Sequence, residues 1–210
     1  MLLPALSKAR EKARGISCTS NMKQLGLMTA MYVDSSDDFI PPITDSTFYA
    51  SWVRNYWAAG CLESLDTLVC PSQPKTKELV RNRLSSKSNL GEALVGYWFF
   101  SYGLNRFGLV DTGVARNIGE VKRPSGCFSH VECFYRLNGD VTGWEMPKDN
   151  KGYYYTVYYY SDKTMGVPNP AHGDRTNVLY VDGHCESLKR QAFWAPEADS
   201  KKFNDYWNYK

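Results

Sequence analysis

The chain is poor in the features that most quickly place a protein. It has no run of about 18 apolar residues, the length a helix needs to cross a bilayer. No secretory signal peptide is visible. Basic residues exceed acidic ones only slightly, 25 against 22, too small an excess to imply a nucleic-acid partner. No GxSxG, Walker loop, HExxH or GxGxxG occurs, which removes the usual local signatures of serine hydrolases, P-loop NTPases, zincins and dinucleotide enzymes. The 6 cysteines, at positions 18, 61, 70, 127, 133 and 185, form no CxxC and pair with no His at zinc-finger spacing. Spacing alone therefore predicts no structural zinc site. No catalytic residue, metal ligand or cofactor is expected. An even count is compatible with disulfides outside the cytoplasm. Cys61/Cys70 and Cys127/Cys133 are the close pairs, and free buried thiols are the alternative.

What is abundant is aromatic. Tyr numbers 15 and Trp 6 in 210 residues, which favours strands and amphipathic surfaces over a helical bundle. The length suits one domain, residues 1–210, with a helix over 1–34 and an α+β head over 39–210. Apolar or small residues recur at Leu2, Leu6, Ala9, Ala13 and Ile16, then at Leu25, Met28 and Tyr32. These spacings are helical. Pro4 is tolerated near a helix start, and Gly15 and Gly26 weaken the rod locally. At 1.5 Å per residue its length is about 45 Å.

The two halves of this helix differ. The first carries Lys8, Arg10, Lys12 and Arg14 against Glu11, with a narrow apolar stripe to which Leu2, Leu3, Leu6, Ala9, Ala13 and Ile16 belong. The second is richer in large apolar groups and suits a seat on a sheet. The first half is expected to protrude, needing a partner helix or a continuation into a membrane. A long surface helix with a charged outer face is the plainer alternative. The opening Leu-Leu-Pro-Ala-Leu has no polar N-cap and reads as the stub of a longer apolar segment.

Further along, Pro41-Pro42 ends the helical region. Trp52, Tyr56 and Trp57 suit a short helix, residues 65–70 a strand, and residues 78–84 a loop or short helix. Residues 93–105, 127–134 and 153–160 read as strands, the second with Glu132 inside it. Asp182-Gly183 between alternating runs predicts a hairpin with a type I′ turn. The aromatic tail after Arg190 is expected to wrap back as a short helix. The sum is an α+β fold: a long N-terminal helix packed on an antiparallel sheet of four to six short strands, with a C-terminal Asp-Gly hairpin.

The densest polar cluster in the sequence is His172, Asp174, Asp182 and His184. His and Asp are acid/base and metal-ligating types, so a metal-assisted hydrolase is one reading. Turn formation at Asp182 and a hydrogen bond from His172 to the hairpin account for the same residues without chemistry.

The stretch LLPALSKAREKARGISCTSNMKQLGLMTAMYVDSSDDFIPP resembles the segment that follows the membrane-embedded part of prepilin-type N termini. His172 to Asp182-Gly183, with nine residues between His and Asp, resembles the H-x9-D-G signature of a bacterial pseudopilin-like family of unknown function, DUF1559. Cys70-Pro71-Ser72 and Ser101-Tyr102-Gly103-Leu104-Asn105 are similar to internal motifs of that family.

The resemblance implies a pilin-like fold in which His172, Asn177, Asp182 and Gly183 are structural-motif residues. It further implies a subunit of a type II secretion pseudopilus or type IV pilus-like fibre, extracytoplasmic, bacterial and membrane-anchored at full length. Its partners would be other pilin-like subunits, through the N-terminal helix, and the inner membrane, through an upstream segment. An extracytoplasmic carbohydrate-binding module on the same anchor is the second reading, with polysaccharide as its partner, and the hydrolase is the third.

Overall fold

The computed structural model describes residues 2–42, 52–94, 100–105, 116–134, 156–157, 167–168, 170–189 and 192. Helix α1 runs unbroken over Leu2–Asp34. From Cys18 onward its buried residues are Cys18, Met22, Leu25, Thr29 and Val33. At about 100° per residue these fall on one face, which packs on the sheet. Gly26 does not break the helix because its missing side chain has a use: a Cβ there would lie 3.1 Å from Leu179 Cδ1, so glycine lets the rod approach the sheet closely. Residues 35–38 reverse the chain with positive φ at Asp37 and Asp38, and Asp38 N donates to Val33 O at 3.1 Å.

Strand β1 (Phe39–Ile40) follows and pairs antiparallel with β3 (Arg116–Asn117). Helix α2 (Trp52–Ala58) buries Trp52, Val53 and Tyr56, the aromatic face expected of it. Residues 65–70 are not a strand. Leu65–Leu68 is a 3-10 turn, capped by Ser64, whose Oγ accepts from Asp66 N at 3.2 Å. Short apolar runs do not distinguish the two conformations, and here the Ser cap and the proline after Cys70 decide. Helices α3 (Pro74–Ser85) and α4 (Leu90–Leu94) come next. The strand expected over 93–105 thus opens as helix and reduces to β2 (Tyr102–Asn105), residues 95–99 lying outside the described ones.

The main sheet has the order β5-β2-β4-β7-β8, with β4 (Phe128–Phe134), β5 (Thr156–Val157), β7 (Arg175–Tyr180) and β8 (Cys185–Lys189); β6 (Val167–Pro168) also pairs with β4. Every pair is antiparallel except β2 with β5, which is parallel. The fold is α+β, a long first helix on a largely antiparallel sheet, as the resemblance implies. The aromatic residues of the tail lie outside the described residues, as does most of 153–160.

The Asp-Gly hairpin forms, with a different turn. Tyr180 N donates to His184 O at 2.9 Å and Gly183 N to Tyr180 O at 3.0 Å. Only Gly183 has positive φ, +89°, so Asp182 is not in a type I′ turn. Three residues make the loop, and glycine takes the left-handed position that closes a bulged hairpin. The core between sheet and helices is aromatic: Trp52, Tyr56, Phe100 and Tyr102 are fully buried. The Tyr56 hydroxyl meets Thr29 Oγ1 at 2.9 Å, and Thr29 in turn donates to Leu25 O.

Candidate functional site

Two features of α1 are candidates for function: the face it leaves exposed, and the point where it leaves the head. The exposed face is continuous. Leu6, Ala9, Ala13, Ile16, Ser20, Leu27 and Met31 are all exposed. At 100° per residue they share about 80° of arc, opposite the buried face. Leu6, Ile16, Leu27 and Met31 are exposed by 48, 65, 66 and 55%, high for large apolar groups. Leu6, Ala9, Ala13 and Ile16, expected on one apolar stripe, are thus exposed together, and the exposed face extends beyond them. It runs on through Leu27 and Met31, whereas Leu25 is buried and Met28 and Tyr32 pack against the core. The Leu2 and Leu3 side chains lie outside those described.

The helix first touches the head at Glu11. Ser72 Oγ donates to Glu11 Oε1 at 2.9 Å, and His172 Nδ1 lies 3.2 Å from the same oxygen. Gly15 lies under the His172 ring, one turn on, and Cys18 is the next residue on that face. Around His172 four side chains converge from four places in the chain: Cys18 on α1, Cys70 after the 3-10 turn, Glu132 in β4 and His172 before β7. One donor atom from each lies within 4.8 Å of all the others. His172 Nε2 is 3.1 Å from Glu132 Oε1 and 3.4 Å from Cys70 Sγ. Cys18, Cys70 and Glu132 are fully buried, and the His172 side chain is 7% exposed.

Neighbouring groups hold each member in place. Tyr102 Oη donates to Cys18 Sγ at 3.2 Å, and Ser72 N to Cys70 Sγ at 3.4 Å. Cys70 N donates to Ser101 Oγ at 2.8 Å, and Ser101 Oγ passes a bond to Gln73 Oε1 at 2.7 Å. Gln73 Nε2 reaches Cys133 O. The segments Cys70-Pro71-Ser72 and 101–105, unconnected in sequence, are therefore one hydrogen-bonded unit. Asn177 N donates to Glu132 Oε2 at 3.4 Å, and the β4–β7 register sets the two residues side by side.

The electrostatics of the cluster are shared among its members. Burial opposes ionisation of Cys18, but hydrogen bonds from Cys70, His172 and Tyr102 outweigh it and hold this thiol below its ordinary value. Burial, then Cys18 and the Glu132 charge, push Cys70 well up. Burial disfavours a charged His172, yet hydrogen bonds to Cys18 and Glu132 and the Glu132 charge carry it up to about 11.

The structure does not bring the sequence's own polar cluster together. Asp182 and His184 pair with each other, and His184 stacks on Tyr180 with ring centroids 4.0 Å apart. Gly183 lies against Gly26 of α1, while His172 lies against Gly15. Eleven helical residues, about 16 Å, separate those points. The hydrolase reading loses its constellation, since His172 belongs to the Cys/Glu group and His184 to the exposed hairpin. Nor do the proposed disulfide pairs form, and all six thiols are free. Cys127 and Cys133 stand six extended residues apart along β4, about 20 Å, beyond disulfide reach. The Cys61 thiol lies near Ala59 O at 3.7 Å, while Cys70 faces His172.

Glu11, Cys18, Cys70 and Glu132 are the site residues that spacing rules miss. Their separations, up to 121 positions, fit no local motif. One signal was present: Glu11, Gly15, Cys18, Met22 and Leu25 share one helical face, which places a carboxylate and a thiol at the end of a buried stripe.

Among family models, one described as "Protein of unknown function (DUF1559)" matches residues 7–59. Over those residues, about a quarter of its length, the chain is similar to that family. The DUF1559 match takes in α1 from Ser7 onward, the turn after it and α2, including Glu11 and Cys18, and does not extend to the segment around His172. Comparison with curated proteins and with solved structures finds no match.

Proposed function

We propose that this chain is a structural subunit of a type II secretion pseudopilus or type IV pilus-like fibre, with the exposed stripe of α1 packing on the same stripe of neighbouring copies. The observation that supports this reading is that one helix carries two opposed apolar faces, one spent on its own head and the other exposed from Leu6 to Met31. The resemblance to prepilin-type segments adds the setting: extracytoplasmic, in a bacterium, tethered to the inner membrane. No described helix is long and apolar enough to cross a membrane. The basic residues flanking the stripe would then lie at the membrane surface.

The energetics favour assembly over simple dimerisation. Leu6, Ile16, Leu27 and Met31 are already about half covered, so full burial adds roughly 1 kcal/mol each. Counted on both copies, that is about 8 kcal/mol, which the roughly 4–15 kcal/mol cost of associating two free molecules largely cancels. The stripe works only where neighbours are already confined, as by a membrane tether or a growing fibre. The carbohydrate-binding reading draws less support. Trp52, Tyr56 and Tyr102 are core residues, and among the described residues that line the cleft of about 300 Å³ beside the second half of α1, Tyr180 is the one aromatic.

The test is the sheared surface fraction of cells making the full-length protein. Wild-type subunits should pellet with fibres. Ile16→Glu should leave cellular protein level unchanged and empty the fibre fraction. Absence of the wild type from fibres, or normal assembly of Ile16→Glu, overturns the proposal.

A further inference from the structure

We infer that Cys18, Cys70, Glu132 and His172 bind a divalent zinc ion, which pins the root of α1 to the head. The inference stands apart from the fibre proposal and rests on the geometry of the four donors. Ligand bonds of about 2.3 Å to sulfur and 2.0–2.2 Å to nitrogen and oxygen make tetrahedral edges of about 3.5 Å between S and N and about 3.3 Å between N and O. The corresponding separations are 3.4 Å for Cys70 Sγ to His172 Nε2 and 3.1 Å for His172 Nε2 to Glu132 Oε1. The remaining pairs fall within the 4.8 Å envelope.

The hydrogen-bonding arithmetic points the same way. His172 Nδ1 faces Glu11 Oε1 at 3.2 Å, an acceptor that fixes the ring proton on Nδ1. Nε2 faces a carboxylate oxygen and two sulfurs, and it offers its lone pair to a cation that displaces the proton it holds there. The four donors point lone pairs at a common centre that only protons or a cation can occupy. Carboxylates behind a ligating imidazole, of the Glu11 kind, orient the ring and raise its basicity. The Ser72 N–H and the Tyr102 O–H, each aimed at a sulfur, stabilise thiolate charge.

The donor set selects the metal. Two thiolates with an imidazole and a carboxylate suit borderline-soft Zn²⁺ and not Ca²⁺ or Mg²⁺, which take oxygen. All four positions are protein side chains on buried residues, so the site is closed and structural. Binding displaces the protons the thiols hold, so affinity falls in acid. The ligands come from α1, the Cys70 loop, β4 and the loop before β7, and the ion therefore ties the first helix to three other parts of the fold.

The experiment uses the 210-residue chain, purified without chelator and assayed for metal by mass spectrometry. The expected result is about one zinc per chain. Chelation should lower Tm by about 10 °C or more, and added Zn²⁺ should restore it. Co²⁺ in place of zinc should give a thiolate-to-metal charge-transfer band and tetrahedral ligand-field bands. Cys18→Ser and His172→Ala should lose the ion, and Cys61→Ser should keep it. The charge-transfer band is read on the wild type, so the proposal stays testable if a variant fails to fold. A folded wild type that stays free of metal in excess Zn²⁺ overturns it, and identifies His172 as an imidazolium held between Glu11 and Glu132. A Cys18–Cys70 disulfide in a non-reduced digest also overturns it, as does a charge-transfer band that survives in Cys18→Ser.

Discussion

The two faces of α1 are both apolar, share one backbone and lie half a turn apart, yet they have opposite fates. One face, from Cys18 to Val33, is sealed against β7 and α2. The other, from Leu6 to Met31, is left in water. The difference lies in what stands between the apolar groups. The inner face interposes residues that finish a contact: Glu11 for Ser72 and His172, Cys18 for Tyr102, Thr29 for Tyr56, glycine at 26 for Leu179. The outer face has mainly Ala and Ser between its large residues, with Gln24 at its edge accepting from Thr67 Oγ1 at 3.5 Å, a surface suited to another helix. Hydrophobicity alone does not tell an inward face from an outward one. The polar residues distributed along it do.

The sharpest way to break this comparison is to truncate one residue on each face. Leu25→Ala should cost about 2–5 kcal/mol of unfolding free energy in urea, while Ile16→Ala should stay within about 0.5 kcal/mol. Equal losses would mean that the outer face is also part of the private core. Acid titration addresses the floor on which the inner face rests. Burial holds His130, packed against Trp52 and Tyr56, down to about 3, against about 6.5 in an unfolded chain. The unfolded state therefore binds the extra proton between those values, and stability falls as pH drops from about 6.5 toward 3. In His130→Gln the decline over that window should be shallower. An unchanged slope would remove His130 from the account.

A smaller effect tests the polar punctuation itself. Thr29→Val keeps the shape and leaves the buried Tyr56 hydroxyl without its partner, which should cost about 1–3 kcal/mol. Thr29→Ser should recover most of that. The smallest expected effect lies on the outer face. Met31→Gln should leave Tm of the isolated chain unchanged, within about 0.5 kcal/mol, while weakening recovery in sheared fibres. A marked fall in Tm would show Met31 supporting its own head.

Much of the fold was legible because its signals are periodic. The long helix, its buried second half, α2 with Trp52 and Tyr56, and β4 with Glu132 inside it all follow from spacing. The end of α4 at residues 93–94 and the 3-10 turn at 65–68 were misread as strand because short apolar runs carry no period. The turn at Asp182-Gly183 was misread because the same dipeptide serves both two- and three-residue hairpins, and only the register of β7 with β8 separates them. The Cys/Glu/His group was illegible for a different reason. Its members are joined by folding and not by sequence, and its His, His172, was grouped with neighbours in the chain rather than neighbours in space.

The packing of α1 on β7 also sets an order of events in the making of the protein. Helix α1 is synthesised well before β7, its partner, which follows some 150 residues later. At 5–20 residues per second a ribosome needs about 8–30 s to supply it. Throughout that interval the nascent rod displays both greasy sides at once, and the inner one is as adhesive as the outer. A cell that makes this chain must shield its leading segment during translation, or hold it at a surface, until residues 175–180 emerge to claim one side.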